Sequence, residues 1–216
     1  MKKSLFLSAA AILVLAFVAG IYFYSTSKTE QAGQLAQQNR AALVRDYSPV
    51  LGPADAKVEI VEFFDPACET CRRFYPFVKA ILKAEPERVR LVLRHAPFHE
   101  NSDYVVALLE AARMQGKYWE TLEALLASQD AWVVQHAVQP QQAWMQIQNL
   151  GLDLERLQQD MQSPEIAARV RQELADADTL KIMKTPEFFV NGKPLPSFGF
   201  EQLQSLLQEE LASAYR

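Results

Sequence analysis

The sequence predicts an α/β domain that carries a helical insertion and is preceded by an N-terminal membrane helix. Three observations predict it. A β-branched and aromatic run, Val58–Phe64, passes through a C-x-x-C pair into a stretch of helical periodicity and then into a second strand-like run at 89–94, which together make a β-α-β unit. Amphipathic segments then fill about residues 100–183, and a hairpin signal with a closing helix follows them. Ahead of all this stands an apolar run over residues 5–24.

That run follows Met1-Lys2-Lys3 and is broken only by Ser8 and the small pair Ala19-Gly20. Twenty helical residues span about 30 Å, the thickness of a bilayer's hydrocarbon core. A cleaved signal peptide has a shorter apolar region and then a small-x-small site facing polar sequence. Here Ile21-Tyr22-Phe23-Tyr24 continues past Ala19-Gly20, and its aromatic residues suit a membrane interface. Residues 1–24 therefore read as a signal anchor, with a cleaved signal peptide as the alternative. The lysines place the N-terminus inside and the domain outside. No cysteine lies near the run, so lipoprotein anchoring is excluded. Residues 25–45 are polar and rich in Gln and Ala and read as a tether, with helix an option over 30–44. Its role is a spacer that holds the domain off the membrane or, alternatively, a dimerisation helix. Residues 46–216 form one domain, long enough to bury a substantial core. A formal net charge of −4 with no basic stripe argues against nucleic acid as a partner.

In the β-α-β unit, Phe74, Phe77, Val78, Ile81 and Leu82 recur at helical spacing up to Glu85-Pro86, so the C-x-x-C opens a helix. Cys68 and Cys71 are the chain's two cysteines. One helical turn apart, their Cα atoms lie about 5 to 6 Å from each other, within disulfide reach. At a helix start, unpaired amides and the dipole favour the Cys68 thiolate, and Cys71 is placed to resolve a disulfide that Cys68 forms. Two other readings stay open. A structural disulfide would close only a four-residue turn and so remove little chain entropy. A zinc site would need about four ligands, and His95, His99 and His136 lack the spacing of known sites. Export sharpens the redox reading, since an oxidising compartment permits structural disulfides and the sole pair sits in one reactive motif.

After the second strand, Asn101 or Ser102 is expected to cap a helix over 104–115 that Gly116 stops. Further helices are expected over 118–126, 140–150, Leu154–Met161 and 164–183, the last with Ser163 as cap and Pro164 at its first position. Trp119, Trp132 and Trp144, with Met114, Met145 and Met161, read as core. His136 reads as a surface or satisfied histidine, and His95 and His99 as candidates for a role near the site. Thr185-Pro186 precedes an extended Glu187–Val190, Asn191-Gly192 forms the turn, and an edge strand over 193–195 returns before a closing helix over 200–211.

These residues resemble the thioredoxin superfamily and, within it, the DsbA-like thiol-disulfide oxidoreductases of bacterial envelopes. The resemblance rests on residues 48–65 through Cys68-x-x-Cys71, on Arg94-His95-Ala96-Pro97-Phe98, and on residues 185–192, in the family's order, and it covers roughly residue 48 to the C-terminus. It implies a thioredoxin fold with an inserted helical domain at about 100–183. Pro186 corresponds to the family's cis-proline, packed beside the C-x-x-C, and Thr185 to the residue that contacts substrate and sulfur. A proline without an amide hydrogen at a strand start leaves the preceding backbone free to pair with an extended substrate. Glu62, six positions before Cys68, matches the family's buried acid, which moves a proton to or from Cys71; Glu59 reads as a mere charge at the strand's start. The sequence departs from the strong oxidants of the family at Glu69-Thr70, where they carry Pro-His. A carboxylate there opposes the thiolate, Arg72 and Arg73 offset part of its charge, and the direction of electron flow is thereby open.

The function expected is an exported thiol-disulfide oxidoreductase of the bacterial inner membrane, single-pass, with its catalytic domain in the periplasm. It exchanges disulfides with protein substrates, as an oxidase or alternatively as a reductase or isomerase, and works with a membrane or soluble redox partner. A redox-inactive anchored binding domain is the further alternative. No cofactor and no metal are expected.

Overall fold

The computed structural model describes residues 2–216, apart from the side chains of residues 2–11 and 25. Met1 and the side chains of Lys2 and Lys3, expected to hold the N-terminus inside, lie outside the described residues. The chain opens with α1 (Lys2–Gln38), followed by the short α2 (Arg40–Leu43). The apolar side chains of 12–24 stand exposed, and the helix fits a single-pass anchor by length and composition.

The stretch 25–45 is not a loose spacer. Its first part continues α1 without a break, and its second part is buried: Ala36, Ala42 and Leu43 pack with Val61, Phe63, Val92, Phe189 and Leu180 in one apolar cluster. The reason is the sheet. Strand β1 (Val50–Leu51) pairs antiparallel with β3 (Val89–His95), β3 pairs parallel with β2 (Val58–Phe64), and β2 pairs antiparallel with β6 (Glu187–Val190), which turns into β7 (Lys193–Pro194). The order β1-β3-β2-β6-β7 puts β2 at the centre, with all seven of its residues buried. A sheet buried on both faces needs two covers. Ile60 and Phe64 face α3 (Glu69–Ala84) and the closing α10 (Phe200–Ala214); Val61 and Phe63 face the end of α1 and α2.

Ion pairs fasten that second cover. Glu59 meets Arg40 at 2.6 Å and Arg90 at 2.7 Å, so it is a clasp between α2, β2 and β3 rather than a free charge at a strand end. Arg94 is wholly buried; it bonds Glu173 at 2.9 Å and Asp176 at 2.7 Å and also donates to the carbonyl of Ala42. Arg45 grips Asp176 through two nitrogens at 2.7 and 2.6 Å. Glu173 and Asp176 belong to α9 (Pro164–Thr179), so β3, α2 and α9 share one network.

Local geometry follows the sequence closely. Gly52, at φ +100°, lets β1 approach β3 where a side chain would lie 2.7 Å from the carbonyl of Val89. Asn191 and Gly192 both take positive φ, the two-residue turn their sequence announces. In α3, Pro76 removes the amide that would bond the carbonyl of Arg72, yet the helix runs on to Ala84.

The insertion is helical, as expected, with differences in detail. Helices α4 (Ser102–Met114) and α5 (Tyr118–Ala127) come first. Neither Asn101 nor Ser102 caps α4 with its side chain, because the Ser102 hydroxyl turns instead to Asp65. A short α6 (Gln129–Trp132) and a small hairpin, β4 (Val133–Val134) with β5 (Ala137–Val138), were not anticipated. Helix α7 (Pro140–Gln146) ends four residues before the expected 150, α8 (Leu154–Met161) matches its forecast, and α9 stops at Thr179, not 183. Ser163 caps α9, accepting from the amide of Ile166 at 3.3 Å. Trp132 is core, whereas Met114 and Met145 are exposed, contrary to the core reading.

Candidate active site

The end of β2 delivers the chain to the site. Asp65, the first residue past the strand, is fully buried and turns the backbone: its carbonyl accepts from the amide of Cys68 at 3.0 Å, and its Oδ1 accepts from the amide of Ala67 at 2.9 Å. Its Oδ2 accepts from the amides of Phe98 and His99 at 2.8 and 2.9 Å and lies 2.7 Å from His99 Nδ1. Burial alone would raise this carboxyl; the bonds from His99, Ser102 and the amides hold it below its ordinary value. Asp65 thus ties the C-x-x-C loop to the loop that leaves β3.

Cys68 is the N-cap residue of α3 and Cys71 lies within its first turn. Both thiols are free in this structure. Cys68 retains 7 % exposure and Cys71 none, so Cys68 is the sulfur a macromolecule can reach. The Cys68 thiol is pushed down to about 5: a hydrogen bond from Cys71, further bonds from Thr185 and the amides of Cys71 and Thr70 outweigh burial. Cys71 is pushed well up by burial and by the neighbouring Cys68. The pair is therefore split into an acidic outer sulfur and a weakly acidic inner one.

Glu62 lies beneath them. The alternation of β2 puts it on the face shared by Ile60 and Phe64, which pack with both cysteines in one cluster. It is fully buried, and neither carboxyl oxygen has a hydrogen-bond partner among the described residues. Burial, with the charge on Cys68 adding to it, holds its proton to well above the usual carboxylate range. After burial and Cys68, the charge of Glu62 also raises Cys71, so carboxyl and inner sulfur are electrostatically coupled.

Thr185 and Pro186 close the site from the other side. The peptide bond between them is cis, as the resemblance implied, and Cys68 Sγ donates to the Thr185 carbonyl at 3.3 Å. The structure thus brings together Cys68, Cys71, Glu62, Thr185 and Pro186. Thr70 contributes its backbone amide. Glu69 points into solvent, and the acidity of Cys68 stands despite it. Arg72 pairs with Asp130 of α6 at 2.8 Å.

Sequence reasoning missed two site residues. Asp65 carried a faint signal, a carboxylate directly after a wholly apolar strand end. Gln129 carried none: from α6 of the insertion its side-chain amide donates to the carbonyls of Pro66 at 2.8 Å and Cys68 at 3.2 Å. Of the histidines, His99 adjoins the site through Asp65, and His95 is buried against the Tyr118 hydroxyl at 3.1 Å, its pKa pushed down to about 4 by burial first. His136 is exposed, as expected.

Comparison with known proteins agrees with this fold. Residues 45–209 match the family described as thioredoxin. Among curated proteins, the Na(+)/H(+) antiporter NhaA 3 of Salinispora tropica is 32% identical over 173 residues, which are 78% of this chain and 26% of that protein. The Na(+)/H(+) antiporter NhaA of Herminiimonas arsenicoxydans is 32% identical over 146 residues, covering 68% of this chain and 22% of its own length. The chain therefore spans about a quarter of the length of these relatives. Among solved structures, a thioredoxin-like oxidoreductase from Silicibacter pomeroyi superposes with a TM-score of 0.69 at 37% identity, covering 82% of this chain and 98% of the other. BcfH of Salmonella enterica Typhimurium gives 0.77 at 23% identity over 94% and 90% of the two chains. The thiol-disulfide exchange protein alpha-DsbA2 of Wolbachia pipientis shares the fold, with a TM-score of 0.70 at 15% identity over 85% and 97%. With its sheet order, its C-x-x-C at the start of α3 and its helical insertion, the chain has the fold of the DsbA-type structures and belongs to the thioredoxin family.

Proposed function

We propose that this protein is a membrane-anchored oxidase that passes a Cys68–Cys71 disulfide to the thiols of exported proteins. The observation that carries the direction is the acidity of the outer sulfur. A Cys68 thiol near 5 is ionised at neutral pH, and whatever stabilises the thiolate stabilises the reduced enzyme and makes its disulfide the stronger oxidant.

The steps follow from the geometry. A substrate thiolate attacks Cys68 Sγ, the accessible sulfur; the Cys68–Cys71 bond breaks and its electron pair leaves on Cys71. In an apolar pocket that leaving thiolate needs a proton, and the protonated Glu62 supplies it. A second substrate thiolate then attacks the substrate sulfur of the mixed disulfide, releasing the Cys68 thiolate, which the Thr70 and Cys71 amides stabilise. The substrate loses two electrons and the enzyme gains them. A membrane or soluble redox partner that accepts two electrons restores the disulfide. Thr185 and Pro186 line the approach, where the substrate backbone binds beside Cys68. Residues 1–24 remain as a single-pass anchor with the catalytic domain outside the inner membrane, on the strength of an apolar helix that runs unbroken into the packed part of the fold.

The reduction potential against glutathione tests the direction. A value between about −180 and −120 mV is expected for an oxidase. One near about −270 mV would assign the protein to disulfide reduction instead.

A further inference from the structure

One face of the domain, next to the site, combines exposed apolar side chains with lysines. At its centre is a groove of about 550 Å³ between α1 and the loops flanking β6, with Tyr24, Lys28 and Leu35 on the helix side and Met183, Pro186 and Phe198 opposite. Met183 is 83% exposed and Phe198 45%, which leaves two large apolar groups in water at the rim of one groove. Three cations surround them. Lys28 stands 5.5 Å from the centre of the Tyr24 ring, Lys184 stands 5.7 Å from that of Phe198, and Lys181 lies 3.3 Å from Asp178. The carboxylates nearby are that Asp178, Glu187, which is half-buried in the groove, and the exposed Glu30 of α1, two residues beyond Lys28.

The occupant of this face follows from α1. Tyr24 ends the apolar run and is at the same time a wall of the groove, and α1 has no break between the two roles. With residues 12–24 in a bilayer, Tyr24 stands at the headgroup level where amphipathic aromatic rings settle. A helix without a hinge leaves no slack, so the groove that shares Tyr24 is brought to that level as well.

We infer that this face seats on an anionic bilayer surface, with Met183 and Phe198 in the interfacial layer and Lys28, Lys181 and Lys184 against lipid phosphates. Long amphipathic and cationic side chains are suited to that boundary, and anionic headgroups attract juxtamembrane lysines. Pro186 lines the same groove, and the adjacent Thr185 touches Cys68, so the reactive sulfur opens at the membrane surface. The enzyme would then serve cysteines carried close to the bilayer. This rests on retention of the helix proposed above and is independent of the direction of electron flow.

The test uses the full chain reconstituted in phosphatidylcholine vesicles with and without phosphatidylglycerol. Met183→Trp, Phe198→Trp and, as comparator in α7, Met145→Trp each add one fluorophore, and the wild type supplies the background of its own tryptophans. Quenching by lipids spin-labelled at the headgroup should be severalfold stronger for the first two than for the comparator, and stronger with phosphatidylglycerol present. Combining each with Lys28→Glu, Lys181→Glu and Lys184→Glu should bring quenching down to the comparator's level. Equal quenching at 183, 198 and 145, or quenching indifferent to both anionic lipid and charge reversal, would overturn the inference. Exchange with a soluble disulfide peptide, followed in the same samples, reports separately on the oxidoreductase reading.

Discussion

Asp65 holds His99 at 2.7 Å and so seats an imidazole beside the reactive thiol without placing one between the cysteines. The bond to Asp65 first, then the charge of Cys68, raises the His99 pKa against burial. The coupling is mutual: a protonated His99 favours the Cys68 thiolate. His99→Gln should therefore raise the Cys68 pKa, modestly because the ring is partly exposed and its field screened. Ultraviolet absorbance of the thiolate, titrated from acid to neutral pH in both proteins, measures this. An unchanged or lowered Cys68 pKa would show that the imidazole has no part in the acidity of the sulfur.

Nucleophile and resolver are separated by exposure. Cys71→Ser should accumulate mixed disulfides through Cys68 with substrate proteins, because the buried sulfur that would expel them is gone, whereas Cys68→Ser should accumulate almost none. Non-reducing electrophoresis of both variants decides it, and equal trapping would reverse or abolish the assignment.

The parts that could be read from sequence are those built from neighbours. Strand β2, the helix opened by Cys68 and the Asn191-Gly192 turn each declare themselves within a dozen residues, and Thr185-Pro186 was recognised through resemblance. What escaped is long-range. All but one of the partners of the Asp65 carboxylate lie more than thirty positions away, and Gln129 reaches the site from an insertion whose α6 and hairpin are too short to leave a periodic trace. The stretch 25–45 looked like solvated spacer because its described buried positions are three, and two of them, Ala36 and Ala42, are small. Met114 and Met145 misled in the opposite sense, since helical spacing shows which residues share a face and not whether anything covers it.

The burial of Leu43 makes the supposed tether part of the fold. Leu43 is fully buried against the sheet face of Val61 and Phe189, so Leu43→Ala should cost about 2–5 kcal/mol. Urea unfolding of wild type and variant measures the loss. A cost near that of a surface substitution would show that α2 merely rests against the sheet.

His95 should impose an acid sensitivity. Its pKa falls from 6.5 to about 4 on folding, so between these values the unfolded chain binds the extra proton and stability falls as pH falls. The loss across that window is on the order of 3 kcal/mol. It should be absent from the pH dependence of His95→Gln, with urea midpoints measured at matched pH values. Parallel profiles for the two proteins would mean that His95 is protonated in the fold or that its burial is relieved by local opening.

Glu62 should separate stability from activity. Its carboxyl is buried without a hydrogen-bond partner among the described residues, a condition that costs about 1–3 kcal/mol even when the group is neutral. Glu62→Leu, of similar size, should therefore stabilise the fold by an amount of that order. The gain should grow with pH. Because the folded pKa is raised above the unfolded value, the unfolded wild type releases this proton first, and wild-type stability falls as pH rises from the ordinary carboxylate value toward the folded one. The same substitution removes the proton source for Cys71, so expulsion of Cys71 by an attacking thiolate should slow by about 10²-fold at neutral pH. Stopped-flow reduction of the oxidised enzyme by a small thiol, beside urea unfolding across pH, reads both effects on one pair of proteins. A variant that is stabilised yet reacts at the wild-type rate would leave Glu62 a buried acid without a role in proton transfer. One that is slowed without being stabilised would mean that water or another group already satisfies the carboxyl.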